Sequence, residues 1–269
     1  MTKEELQKIA KEVRCDIVKM IYDAGSGHPA GALGMADLVT ALYFAILNHD
    51  PKNPNWDERD RLFLSNGHIC SVLYSAMQRA GYFSTSELKK FRKFGSFLQG
   101  HPERTKLAGI ESTSGPLGEG LAQASGYALA ARLDEKRFRV YVICSDGEHD
   151  EGNHWEAVMF AAKYNLSNLT LFIDRNQIQS DGPTEEIMPL NSLKDKYKAF
   201  NWNVLEINGH DFDEIVNAVN QARVEYQKPT AIICNVTAGK GVSFMEENYK
   251  WHAKGITKEE LEQALIDLK

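Results

Sequence analysis

"VYVICSDGEHDEG", residues 140–152, decides the fold class. Its first five residues are apolar, mostly β-branched or aromatic, which is the composition of a strand covered on both faces. Asp146 and Gly147 end that run, and "GNHWEAVMFAAKY" behind them predicts a helix over 152–164. A strand that turns at an aspartate and a glycine into a helix is half of a parallel βαβ unit. Open sheets of this kind bind ligands at their carboxyl edge, where Asp146 stands.

Working outward, the alternation continues in both directions. Downstream, "LTLFIDRNQI" (169–178) predicts a second strand ending near Asn176, and "NVLEI" (203–207) and "TAIICNV" (230–236) predict two more. Helices are expected near 191–199 and 211–226, with a closing helix capped by Thr257 and Glu260. Upstream, "RLFLS" (61–65) reads as a strand running into "NGH" and an apolar helix, and 117–133 as another helix. Leu6, Ile9, Val13, Ile17, Met20 and Ile21 recur at helical spacing behind a Thr2/Glu5 capping box, so a first helix ends near Gly25. "SGHPAGALG" (26–34) reads as a glycine-rich loop, and "MADLVTALYFAILN" (35–48) as one buried helix. Ser84 and Glu87 form a capping pattern for a short helix in which Phe91 and Phe94 are half-buried, and 96–115 shows no period, as in a ligand-binding loop. The fold class expected is α/β, a mostly parallel sheet flanked by helices, in one domain over 1–269.

Composition narrows the function. The net charge is -6 from 31 basic and 37 acidic residues, which disfavours nucleic acid and acidic membrane surfaces as partners. Cys15, Cys70, Cys144 and Cys234 lie far apart without a C-x-x-C pair and read as reduced core residues. "MTKEELQKIA" resembles no secretory signal and no run of apolar residues is long enough to span a bilayer, so a cytoplasmic protein acting on small molecules is expected.

If the strands ending at Asp146 and Asn176 are neighbours, their side-chain oxygens and a nearby main-chain carbonyl form an all-oxygen set suited to a hard cation. Magnesium completes its octahedron with water and substrate phosphates, so two side chains imply a phosphorylated ligand. The same residues after strands also serve as helix caps and turn formers.

"SDGEHDEGNHWEA" (145–157) through "LFIDRNQIQSDG" (171–182) resembles the thiamine diphosphate motif, an Asp-Gly followed some thirty residues later by Asn. With "SGHPAGALGMAD", "LSNGH", "GHPE", "GPLGEG" and "WHAKG" in order along the chain, the sequence is similar to the diphosphate-binding half of transketolases. The resemblance implies that Asp146, Asn176 and the main-chain oxygen of Ile178 bind magnesium, with calcium or manganese as substitutes. It implies that Gly147 and His68 contact the diphosphate, that Gly115, Pro116 and Leu117 border the cofactor's rings, and that Glu151 lies at the subunit contact beside the cofactor. His28, His101 and His252 would be catalytic, His252 also touching cofactor. Imidazoles suit a reaction that moves protons to and from sugar hydroxyls near neutral pH. His49, His149, His154 and His210 read as structural, while Glu151 also suits the N-terminus of the helix after it.

The resemblance further implies a split enzyme. A pyrimidine-binding domain is expected on a separate C-terminal subunit, in an α2β2 assembly that transfers a two-carbon ketol unit between sugar phosphates, as in pentose phosphate metabolism. The alternatives are a 1-deoxy-sugar phosphate synthase, a 2-oxo acid decarboxylating subunit or a catalytically silent half. Ser145 replaces the glycine that normally precedes the aspartate, and Arg175 and Gln179 replace more typical neighbours of Asn176.

Overall fold

The computed structural model describes residues 1–269. It begins with α1, Lys3–Ala24, whose Thr2/Glu5 capping box is formed and whose end is set by Gly25 at φ 70°. Leu6, Ala10, Val13, Ile17 and Ile21 face inward along it. The next segment departs from the sequence expectation. "PAGALG" is helical rather than a loop: α2 spans Pro29–Gly34 and is wholly buried. Pro29 opens it with a preset φ, and the absence of a side chain at Gly34 admits the Thr237 carbonyl, which a Cβ would meet at 3.0 Å. The expected single helix over 35–48 is α3, Ala36–Ala41, followed by a π-helical turn, Leu42–Ile46, in which Leu47 N–H donates to the Leu42 carbonyl at 2.8 Å.

Strand β1, Arg61–Leu64, leads through a 3₁₀ turn at Gly67–Ile69 into α4, Cys70–Ala80. The Ser84/Glu87 cap does not form. Thr85–Lys90 is a 3₁₀ helix, the Ser84 hydroxyl pairs with Ser86, and Glu87 pairs with Lys90. Phe91 is buried but Phe94 is fully exposed, so the half-buried pair expected there is split. Helix α5 covers Gly120–Leu133, β2 Val140–Ser145, α6 Gly152–Lys163 and β3 Leu169–Arg175. Then come α7, Thr184–Ile187, α8, Leu193–Ala199, β4, Asn203–Asn208, α9, Phe212–Arg223, and β5, Thr230–Asn235. The closing α10, Lys258–Asp267, carries the expected Thr257/Glu260 capping box.

All strand pairings are parallel, in the order β1-β2-β3-β5-β4. Because alternate side chains of a strand face opposite ways, β2 divides between two cores. Tyr141 and Ile143 join a core of 50 buried residues with α1, α3 and α4, while Val140, Val142 and Cys144 join one of 22 with α5 and α6. Covered on both faces, β2 is buried throughout. That explains its unbroken apolar run. All four cysteines are free thiols and three are buried. No helix is long and apolar enough to cross a membrane.

Candidate functional site

Register places the first two site residues. Ser145 of β2 pairs with Asp174 of β3, and the Asp146 N–H donates to the Asp174 carbonyl at 3.0 Å. Asp146 and Asn176 therefore emerge side by side at the carboxyl edge of the two central strands. Each also makes a local turn contact: Asp146 Oδ1 accepts from Gly147 N–H at 2.8 Å, and Asn176 Oδ1 from Ile178 N–H at 3.0 Å. The oxygens that form these turns are the same ones the sequence offers as candidate cation ligands. Ser145 needs no left-handed backbone, so its Cβ is accommodated without strain.

Asp146 is 1% exposed. Its Oδ2 accepts from Arg175 Nη1 at 3.0 Å, from Gln177 N–H at 2.9 Å and from the Thr184 hydroxyl at 3.3 Å. Burial pushes this carboxyl up, and the Arg175 guanidinium and the main-chain N–H groups of Gln177 and Gly147 oppose that push. Behind it Asp174 is buried completely and its carboxyl is pushed well up by burial and by Asp146. Asp174 Oδ1 accepts from the Asn176 amide at 3.0 Å, while Oδ2 is buried without a partner.

A cavity of about 370 Å³ opens above these residues. His28, His68, His101 and His252 line it, together with Gly31, Gly115, Leu117, Ser145, Asp146, Gly147 and Asn176, and the stretch Ile178–Asp181. Ring centroids of His28, His68 and His252 stand 5.0 to 5.7 Å apart. Three imidazoles this close cannot all carry charge in a partly dry cavity. Burial lowers His28 to about 4, helped by His252, Arg92 and His101, and burial likewise holds His68 well down and lowers His101 and His252. At neutral pH the cavity presents uncharged rings able to donate and accept hydrogen bonds, and the buried His28 Nδ1 has no partner within the chain.

These histidines come from four separate segments. His28 precedes α2, His68 sits in the turn between β1 and α4, His101 lies in the irregular stretch before α5, and His252 follows the 3₁₀ turn Tyr249–Trp251. The "GPLGEG" loop is held by Glu148, which is fully buried. Its carboxylate accepts from Gly118 N–H at 2.6 Å, from Ser145 N–H at 3.2 Å and from the Ser65 hydroxyl. Gly118 has φ 82° and Gly115 φ 149°, so the loop turns where glycine is the natural occupant.

Of the residues singled out from sequence, Pro116 and Glu151 do not line the cavity. Glu151 is exposed, precedes α6 without a side-chain cap hydrogen bond, and stands against Gly118. The four histidines read as structural are bonded elsewhere. His49 lies between Tyr43 and Tyr82, His210 bridges Asp37 and Thr237 N–H, and His149 and His154 share the Tyr197 hydroxyl. Sequence reasoning misses Gly31, Ser180, Asp181, Asp174 and Glu148, and notes Gln179 only as a departure from the resembled motif. Gln179, Ser180 and Asp181 follow Asn176 so closely that their position on the same edge was the available signal.

The donor set suits a hard cation with a diphosphate. Asp146, Asn176 and the Ile178 carbonyl offer oxygen only, and that carbonyl accepts no hydrogen bond within the chain. Gly147 leaves the backbone open toward the cavity, where a Cβ would meet Gln179 at 3.2 Å. No group of three His, Cys, Asp or Glu residues could hold a metal unaided. A cation here therefore needs oxygens from its ligand.

Residues 5–268 match the family described as "Transketolase, thiamine diphosphate binding domain". A 6-deoxy-6-sulfo-D-fructose transketolase subunit from Clostridium sp. (strain MSTE9) is 42% identical, the match covering 98% of this chain and 96% of that protein. An apulose-4-phosphate transketolase subunit from Phocaeicola vulgatus is 39% identical over 100% of this chain and 95% of its own length. Among solved structures, the Campylobacter jejuni transketolase superposes with a TM-score of 0.94 at 36% identity over 100% of this chain. That match covers only 43% of the solved chain, and a Leishmania mexicana transketolase (TM-score 0.92, 33% identity, 98% of this chain) is covered over 41%.

Proposed function

Because this chain belongs to the transketolase family through its thiamine diphosphate-binding domain, we propose that it is the N-terminal subunit of a split transketolase. In this reading it forms one diphosphate-binding domain over 1–269. It works with a separate C-terminal subunit carrying the pyrimidine-binding domain, as an α2β2 enzyme of cytoplasmic sugar phosphate metabolism. The assembled enzyme transfers a two-carbon ketol unit from a ketose phosphate to an aldose phosphate. The observation that carries this is the meeting of Asp146, Asn176 and four neutral histidines around one cavity. Near full-length likeness to proteins named as transketolase subunits supports the division into two chains.

Asp146, Asn176 and the Ile178 carbonyl would hold magnesium, or calcium or manganese in its place, and Gly147 and His68 would meet the diphosphate. Gly115, Pro116 and Leu117 would border the cofactor's rings, with Glu151 toward the partner. Thiamine diphosphate, when bound, supplies the carbanion that breaks and makes the carbon–carbon bond. The chain's own contribution is proton handling and orientation. His28, His101 and His252, neutral at pH 7, can each hold a substrate hydroxyl and pass a proton at a ring nitrogen without first losing a charge. The buried Glu148 and Asp174 hold the cavity walls, Glu148 the loop at Gly118 and Asp174 the amide of Asn176.

The test is co-purification with candidate C-terminal subunits, followed by an assay for ketol transfer between sugar phosphates. Transfer that needs both chains, magnesium and thiamine diphosphate is the expected result. A folded, cofactor-loaded complex that transfers nothing would reject the reading.

A further inference from the structure

Arg175 places a positive charge inside a site whose oxygen donors suit a cation. It is the last residue of β3, directly before Asn176. Its Nη1 donates to Asp146 Oδ2 at 3.0 Å and its Nη2 to Glu185 Oε1 at 2.5 Å. That Asp146 oxygen already accepts from Gln177 N–H and the Thr184 hydroxyl, whereas Oδ1 accepts only from Gly147. On the other side, Glu185 Oε2 accepts from Asn191 N–H at 3.1 Å. The guanidinium thus joins the end of β2, the end of β3 and helix α7. Between those anchors runs the loop that carries Ile178, Gln179 and Asp181 into the cavity.

We propose that Arg175 is a resident counter-cation for Asp146 that competes with the divalent metal and shifts onto Glu185 when the metal binds, so that it sets the metal affinity of the site. This rests on the thiamine diphosphate and metal reading above. A carboxylate as buried as Asp146 needs a positive neighbour when no metal is present. A monovalent and a divalent cation on one carboxylate repel each other, so whichever charge is already there weakens the second. Arg is suited to the exchange. Its planar fork can release one carboxylate and keep the other. The acceptor it keeps is the better solvated of the two, the Glu185 side chain being 39% exposed and that of Asp146 1%.

Magnesium titrated calorimetrically into the chain assembled with its C-terminal subunit, at saturating thiamine diphosphate, reads this out without any activity measurement. Arg175→Met is expected to bind magnesium roughly tenfold more tightly, since it removes a unit charge a few ångströms from the ligand oxygen. Glu185→Gln, which leaves Arg175 only Asp146 to pair with, is expected to bind roughly threefold more weakly. The opposite signs separate competition from scaffolding. If Arg175 only braces the loop, both substitutions loosen it and both weaken binding. That result, or unchanged affinity in Arg175→Met, overturns the proposal. Should Arg175→Met fail to fold, Arg175→Gln serves with the same expected tightening. Magnesium binding that depends on Asp146 but not on Arg175 overturns this inference alone, whereas a wild-type complex with its C-terminal subunit that binds no magnesium in the presence of thiamine diphosphate overturns the functional reading with it.

Discussion

Asp146 and Asn176 each directly follow one of two neighbouring parallel strands, β2 and β3, whose ends are joined by the Asp146 N–H donating to the Asp174 carbonyl at 3.0 Å. One sheet register therefore sets the spacing of two side chains separated by thirty residues of chain. A site built on strand ends in this way is stiffer than one built on loops alone.

In the enzyme assembled with its partner, Asp146→Ala is expected to abolish magnesium-dependent thiamine diphosphate binding in calorimetry while circular dichroism stays native. Arg175 retains Glu185 as a partner, so the stability cost should be about 1–3 kcal/mol, that of a few unpaired donors, and not a collapse. Cofactor binding of wild-type strength in Asp146→Ala would exclude this aspartate as a metal ligand.

The histidines divide by role. In the enzyme assembled with its partner, His28→Ala and His101→Ala should each lower kcat by roughly 10²–10⁴-fold with cofactor affinity nearly unchanged, while His252→Ala should lower kcat and weaken cofactor binding together. His68→Ala should instead weaken cofactor binding. Steady-state kinetics beside calorimetry distinguishes the groups, and equal effects of all four on binding would refute the division.

Glu148 should be among the costliest polar residues to truncate. Glu148→Ala leaves Gly118 N–H, Ser145 N–H and the Ser65 hydroxyl buried without an acceptor, so a loss of about 2–5 kcal/mol is expected in urea unfolding. Glu148→Gln keeps one acceptor and should lose less. A change of only a few tenths of a kcal/mol in Glu148→Ala would show that the loop finds other partners.

Falling pH should weaken the fold through its buried imidazoles. His149 is buried, with Nδ1 facing the Ser145 carbonyl at 2.9 Å and Nε2 facing the Tyr197 hydroxyl at 2.8 Å, and burial lowers it from 6.5 to about 4. The folded state then binds fewer protons than the unfolded state between those values, so the stabilisation is complete above 6.5 and is lost as pH falls toward 4. The slope is about 1.4 kcal/mol per pH unit for each such group. His28 adds to it, being lowered to about 4, and His154 shifts in the same direction. Urea midpoints measured across this range should be flatter in His149→Gln, and an unchanged slope would show that His149 does not contribute.

The histidine chain around Tyr197 shows what sequence could not supply. The Nδ1 of His149 faces main-chain carbonyls and so carries the proton, leaving Nε2 to accept from the Tyr197 hydroxyl. His154 Nε2–H can then donate to the same oxygen, and His154 Nδ1 is left buried without a partner. Residues 149, 154 and 197 belong to three elements. Nothing in their spacing announces that they meet.

What the sequence determined by itself was carried by short-range pattern. The parallel α/β class followed from apolar runs alternating with helical periods, and the ends of α1 and α10 from capping boxes closed within four residues. The family was legible because its stretches lie in order along the chain. Local pattern misread "PAGALG" as a loop, because glycine disfavours helix in isolation and only burial among α1, α4 and the Thr237 carbonyl compensates. Tertiary structure alone decided the strand order, the Glu148 anchor and the Arg175 bridge from Asp146 to Glu185. Those depend on which strand pairs with which, and pairing is set by the packing of two cores against one sheet, a long-range outcome that no window of residues contains.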